Sequence, residues 1–214
     1  MAAKKYKVIY FDSPGRAEAT RLALSAAGVD FNDVRLTSEE WQKMKSSSPQ
    51  GKLPMMEVEF ANGKKTTFCQ SGAMIRFVAR ENDLYGSTNE ESTMVDVVMG
   101  TLDDFFTELI KFFFEKDETK KAEQKVNLGK TVIPTFVKYF EDVKKDKDWM
   151  VGTKMTVADI AVFSLFDQLS VMFDDDDMVK EYRNSASLKG LAEKVLTNNG
   201  IKKWIENRPK PKKT

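Results

Sequence analysis

Residues 5–11 alternate with a period of two, which puts Tyr6, Val8 and Tyr10 on one face and Lys7, Ile9 and Phe11 on the other. Side chains of an extended chain point alternately to opposite sides, so this segment is predicted to be a β-strand. Ser13-Pro14 then reads as a helix start, with the hydroxyl as N-cap and proline in the first turn. That helix runs through Leu22 and Leu24 to Gly28, a glycine placed to end it. In residues 31–36, Val34 and Leu36 alternate with charged neighbours and predict a second strand. Ser38-Glu39-Glu40-Trp41 opens a short helix, its acids favoured by the dipole of the first turn. Two β-rich runs, residues 55–60 and 64 to about 68, flank Asn62-Gly63, the strongest short-range signal for a hairpin. Directly after them, Gln70-Ser71 begins a helix through Met74, Ile75 and Val78 to Arg80. The predicted order is βαβα, then ββα.

Beyond Asn82 the periodicity is helical. Residues 84–87 read as a linker, 90 to about 116 as one long helix, and roughly 122–145 as another. Pro134 should kink that second helix or shift its start, because it removes one backbone donor. Met155-Thr156-Val157-Ala158-Asp159-Ile160 marks a helix start, with Thr156 as cap and Asp159 reaching back to its N–H. Two further helices are predicted near 188–196 and 201–206. The fold class expected is therefore α/β + all-α. A small α/β domain spans 1–82 and an all-helical domain spans 83–214.

Composition changes this picture mainly by exclusion. The 214 residues carry 34 basic and 33 acidic side chains, a net charge of +1, so bulk attraction to nucleic acid is not expected. The basic run at Lys202-Lys203 and from Arg208 to Lys213 reads as a solvated terminus. Histidine is absent. That removes Ser-His-Asp and Cys-His nucleophilic systems, most zinc sites and the usual general base near neutral pH. Chemistry here must rest on Tyr, Arg, Lys, carboxylates, backbone dipoles or a reactive group brought by the ligand. The single Cys69 has no partner for a disulfide or a Cys-x-x-Cys motif and reads as a small apolar residue. No signal-peptide core and no apolar run long enough to cross a membrane is present, so a cytoplasmic location and no membrane partner are expected.

One corner concentrates candidate chemistry. The hairpin folds Ser71 and its helix N-terminus back toward Lys52-Leu53-Pro54, setting anion-binding N–H groups beside a proline-preceded backbone edge. Such a corner can hold the main-chain end of a peptide-like ligand.

The segments YFDSPGRAEATRLALSAAG (10–28), GKLPMMEV (51–58), QSGAMIRFVAR (70–80), TLDDF (101–105) and TVADI (156–160), in this order and spacing, resemble the cytosolic glutathione transferases, most closely their sigma class. That class includes invertebrate enzymes and haematopoietic prostaglandin D synthases. The resemblance covers essentially the whole chain. It implies a thioredoxin-like, glutathione-binding first domain and a helical second domain. It also implies a cis Leu53-Pro54 bond, with Leu53 pairing like an added strand with the ligand's cysteinyl backbone. Gln70 and Ser71 would hold the γ-glutamyl carboxylate, and Trp41, Lys45 and Lys52 the glycyl carboxylate. Tyr10 would be the catalytic residue, its hydroxyl donating to the glutathione thiolate, with Arg16 adding positive field. A free thiol titrates near about 8.5 and must drop by about two units, and a hydrogen bond to a charged group contributes about 1.5–3 kcal/mol, or roughly one to two units, which with Arg16 nearly suffices.

Within TLDDF, the family's second acid reaches a partner subunit's γ-glutamyl ammonium, which assigns Asp104 that role and implies a homodimer. Prostaglandin synthase relatives also link these acids to a divalent metal. The matching upstream position here is Gly100, so no metal is assigned. The electrophile pocket implied by the resemblance lies between the domains, near Phe11, Phe106 and Ile110. Lys111 stands where those synthases place a tryptophan, which counts against prostaglandin isomerisation. Phe112-Phe113-Phe114, at helical spacing, reads mostly as core. Glutathione enters as co-substrate, no cofactor is permanently bound, and the second substrate is a small hydrophobic electrophile. Other readings of the same chain are a glutathione-dependent isomerase, a noncatalytic protein like the lens S-crystallins or a ligand carrier, and a transferase-like module of a translation complex.

Overall fold

The structure, a computed structural model, describes residues 4–173 and 178–209. The first three residues and the basic tail beyond 209 lie outside that range. The chain divides into two compact units, one of Met1–Leu84 with Thr197–Thr214 and the other of Tyr85–Leu196.

The first unit is built on strands β1 (Lys5–Phe11), β2 (Phe31–Leu36), β3 (Met55–Glu59) and β4 (Lys65–Cys69). They form one sheet in the order β2-β1-β3-β4, with β2 parallel to β1 and the other two pairings antiparallel. Helices α1 (Glu18–Ala26), α2 (Ser38–Met44) and α3 (Ser71–Glu81) connect and cover it. The period-two pattern of β1 sorts its side chains as expected. Ile9 joins buried Trp41 of α2 and Met55 in a small core, against which Phe11, Val34, Leu36, Met44, Leu53 and Cys69 pack. Helix α3 packs on β3, β4 and α1 through Met74, Ile75, Val78 and Ala79.

One cap differs from the reading of the sequence. No side-chain cap precedes the helix after Ser13. Instead a 3-10 turn, Gly15–Ala17, leads into α1, because Gly15 adopts φ +43° and breaks helical geometry. The cap of α2 is Thr37, which forms a reciprocal box with Glu40. Gly28, at φ +65°, does end α1.

The second unit contains α4 (Asn89–Phe114), α5 (Glu118–Asn127), α6 (Ile133–Lys144), α7 (Val157–Met172), α8 (Lys180–Asn184) and α9 (Ala186–Val195). Helix α7 is apolar nearly all round and buried from Val157 to Phe166, the pattern of a central helix. It packs on α4 and α9. Between α5 and α6 the backbone makes a π-helical turn, Leu128–Val132, with the Ile133 N–H donating to the Leu128 carbonyl. Pro134 lacks the donor that a regular turn would require, and the wider turn accommodates it. The five-residue α8 is too short to leave a periodic trace in the sequence.

The last helix, α10 (Asn199–Asn207), belongs to the first unit and not to the helical one. It packs on α1. Gly200 permits the approach: a Cβ there would lie 1.9 Å from the Ser25 carbonyl oxygen. Trp204 packs on Phe31 with ring centroids 5.1 Å apart. Helical periodicity predicts that a helix exists but not which core it joins, so a boundary at residue 82 with everything after it helical was the reading available. Among the described residues no helix is long and apolar enough to cross a membrane.

Candidate functional site

The strand register collects the predicted residues at one edge of the sheet. The last row of pairs runs Ile9–Met55–Cys69. One step further along the three strands come Tyr10, Pro54 and Gln70. The Leu53-Pro54 bond is cis, and Leu53 packs against the Ile9–Trp41–Met55 core. Gln70 has φ +72° and ψ +111°, which is costly for a residue with a side chain. Its side-chain amide donates to the Gln50 side-chain oxygen at 2.8 Å, and its carbonyl accepts from Ala73 and Met74 to start α3. No side chain caps α3. The first-turn N–H groups ahead of Ala73, those of Ser71 and Gly72, have no side-chain cap, and the positive end of the helix dipole lies at this edge.

Tyr10 is set by its neighbours in the following turn. Gly15 lies flat against its ring: a Cβ there would be 2.6 Å from Cε1 and 2.7 Å from the hydroxyl. The Arg16 backbone N–H hydrogen-bonds to the hydroxyl oxygen. Burial pushes the hydroxyl above the ordinary tyrosine range, outweighing that bond and the charges of Arg16 and Arg21. Tyr10 thus keeps its proton at neutral pH. It is a hydrogen-bond donor, not a base.

The expected glycyl-carboxylate residues fall into two kinds. Trp41 is only 7% exposed and is primarily a core residue, in edge contact with Phe11 at 6.3 Å. Lys45 and Lys52 are exposed at the two ends of the segment between α2 and β3, and the Lys45 stem lies along Gly51. Neither makes an ion pair among the described residues.

The remaining candidates lie on α4 in the second unit. Asp104 is exposed. It shares one helical stripe with Met94, Val97 and Thr101, at spacings of three, four and three residues, and Met94 and Val97 are exposed apolar side chains. Phe106, Ile110 and Phe113 form a second stripe, with Ile110 and Phe113 exposed. Lys111 pairs with Glu108 at 2.7 Å. The three consecutive phenylalanines are not uniformly core: Phe112 is buried, whereas Phe114 is 78% exposed. Phe114 is the last residue of α4.

The family model of the glutathione S-transferase N-terminal domain matches residues 6–80, and that of the C-terminal domain matches 103–208. A glutathione S-transferase of Anopheles gambiae is 33% identical over 205 residues, covering 95% of this chain and 97% of its own. The chain belongs to the glutathione S-transferase family. Within this family, the haematopoietic prostaglandin D synthase of Gallus gallus is 31% identical over 207 residues, covering 96% of this transferase and 97% of the relative. The solved structure of prostaglandin synthase D from Nilaparvata lugens superposes with a TM-score of 0.84 at 32% identity, covering 97% of this chain and all of the other.

The transferase also carries residues that sequence reasoning passed over. Arg21 is fully buried, with Nε donating to Asp33 at 2.7 Å and Nη1 donating to the carbonyls of Ser13 and Pro14 and to Glu18. The signal was present: Ala17, Arg21 and Leu24 lie at i, i+4 and i+7, which places an arginine on the apolar face of α1. Gln50 had no local signal, because its role depends on the fold bringing it to Gln70.

Proposed function

We propose that this glutathione transferase seats glutathione along the Tyr10–Pro54–Gln70 edge and activates its thiol with the Tyr10 hydroxyl. The observation that carries the reading is the common row of Tyr10, Pro54 and Gln70 one step past Ile9–Met55–Cys69, with a buried, protonated hydroxyl at one end and an uncapped helix at the other. The cysteinyl backbone pairs with Leu53 as an added strand. The γ-glutamyl carboxylate takes the Ser71 hydroxyl and the first-turn N–H groups, and the glycyl carboxylate lies between Lys45 and Lys52. Trp41 shapes the floor. Tyr10 donates to the sulfur, and Arg16 contributes positive field. The bound thiol gives its proton to water, and the stabilised thiolate attacks the electrophilic carbon of a small hydrophobic acceptor, forming the carbon–sulfur bond as the leaving group departs with its electron pair.

The stripe of Met94, Val97, Thr101 and Asp104 supports an isologous homodimer in which Asp104 serves the partner's glutathione. The second stripe, Phe106, Ile110 and Phe113, with Lys111 beside it, supplies apolar contact for the electrophile. A cytoplasmic location belongs to the same reading.

The test is conjugation of a chloro-nitroaromatic acceptor by pure protein. Wild type turns over. Tyr10→Phe loses about one to two orders of magnitude in kcat, the usual weight of one donor to a developing anion, while glutathione affinity stays within about twofold. Unchanged turnover would remove Tyr10 from the mechanism. A second reading, isomerisation of the prostaglandin synthase type, draws on the similarity to the Gallus and Nilaparvata proteins. The same preparation assayed with a prostaglandin endoperoxide separates the two.

A further inference from the structure

Glu18 and Arg21 are both fully buried, and two charges taken out of water are costly unless each is completely partnered. The pair is one link of a longer chain. Arg208 donates to Glu18 Oε1 at 2.7 Å, and the Trp204 indole N–H donates to the same oxygen at 2.9 Å. Glu18 Oε2 accepts from Arg21 Nη1 at 3.2 Å. Arg21 in turn holds the Ser13 and Pro14 carbonyls, at 3.0 and 3.2 Å, and Asp33. Asp33 also accepts from Arg35 Nε at 2.8 Å, and Arg35 reaches the half-exposed Asp12. The two carbonyls belong to the turn immediately before Gly15 and Arg16, the residues that fix the ring and the hydroxyl of Tyr10.

We propose that Trp204 of α10 and Arg208 directly after it are positioning residues for thiol activation. By satisfying Glu18 from behind, they leave Arg21 to hold the Ser13–Pro14 turn and keep the Glu18 charge neutralised beneath Tyr10. The proposal rests on the reading of Tyr10 given above. Along this chain, the three guanidinium groups of Arg21, Arg35 and Arg208 face the three carboxylates of Glu18, Asp33 and Asp12. Removing Arg208 takes one positive charge out of that balance and leaves it negative. Glu18 then keeps the neutral Trp204 indole and Arg21 as donors, with Arg21 as its counter-charge, and its charge opposes a thiolate above Tyr10. A purely mechanical clasp would affect stability only, whereas this arrangement affects the ionisation of the bound thiol.

The experiment compares full-length wild type with Arg208→Met, Arg208→Lys and Trp204→Phe, and with Lys202→Met as a control that removes an exposed charge from the same helix. The readouts are the pH profile of kcat/KM for conjugation, the ultraviolet absorbance of enzyme-bound thiolate, and thermal stability. Arg208→Met is expected to raise the inflection by about 0.5–1 pH unit, a three- to tenfold loss of thiolate below it, with KM for glutathione within about twofold. Arg208→Lys restores most of the shift. Trp204→Phe, which keeps the ring on Phe31 but removes one donor, shifts it less in the same direction, and Lys202→Met leaves it in place. Variants that lose only stability and keep the wild-type inflection overturn the proposal. Should Arg208→Met not fold, an unmoved inflection in Trp204→Phe is sufficient to overturn it. A wild type without thiolate signal or conjugation defeats the Tyr10 reading itself, a separate result.

Discussion

A methyl group on Gly15 has nowhere to go. The backbone there has φ +43°, and the added carbon would lie 2.6 Å from the Tyr10 ring. Alanine at this position must either shift the turn or push the ring aside, and both move the hydroxyl. Gly15→Ala should therefore mimic Tyr10→Phe, lowering kcat by at least about tenfold, since a misplacement near 1 Å can cost a hundredfold. Steady-state kinetics with a chloro-nitroaromatic acceptor checks this; a fully active variant would mean that the contact does not position Tyr10. At this scale the sequence was informative about chemical type and silent about environment. Tyr10, Lys52 and Ser71 are assigned as candidates from their places in motifs, and Lys45 from the family resemblance. Trp41, expected as a donor to a carboxylate, is mainly a wall of the core, and Arg21 was overlooked although its position on the apolar face of α1 was visible. Charges buried in networks are hard to read because each is stabilised by partners far away in the chain.

Helix α7 shows what an element gains from its first turn. Asp159 accepts from the N–H groups of Met150 and Thr156, both at 2.7 Å, and from the Thr156 hydroxyl at 3.0 Å. Burial nevertheless pushes its carboxyl up to about 6, outweighing these donors and its own backbone N–H. In the unfolded chain the group titrates near about 3.9, so folding favours the protonated form. This contribution is complete below the unfolded value and disappears as pH rises through about 6; two units correspond to roughly 3 kcal/mol. Between about pH 4 and 7 this group makes the wild type less stable as pH rises. Asp159→Asn should flatten that slope in urea unfolding, at a general cost of about 1–2 kcal/mol for the lost acceptor. An identical slope in both proteins would show that Asp159 does not titrate in this range. The Thr156–Asp159 box was legible because its residues are neighbours in sequence. The π turn before Pro134 was legible only as a disturbance, since proline announces a missing donor but not how the backbone will absorb the loss.

For the whole molecule, the order of elements was readable and their allegiance was not. The α/β and helical parts follow from periodicity, yet nothing in the pattern of residues 199–207 says that they cover α1. If the exposed stripe on α4 is the homodimer face, Val97→Glu should convert a concentration-stable dimer to monomer in sedimentation, because a buried unpaired carboxylate at a two-fold contact is repeated twice. A wild type already monomeric at assay concentration would discard that face and the shared role of Asp104. The return of α10 has a consequence for the order in which the protein is made. Glu18 and Trp204 are 186 residues apart. As the chain leaves the ribosome, the sheet with α1, α2 and α3 must wait through the synthesis of six further helices before its buried carboxylate receives its last two donors. Until then, Glu18 lacks those donors and Phe31 lacks its indole partner. The nascent first unit is thus an unfinished body, completed only by the segment translated after the helical unit.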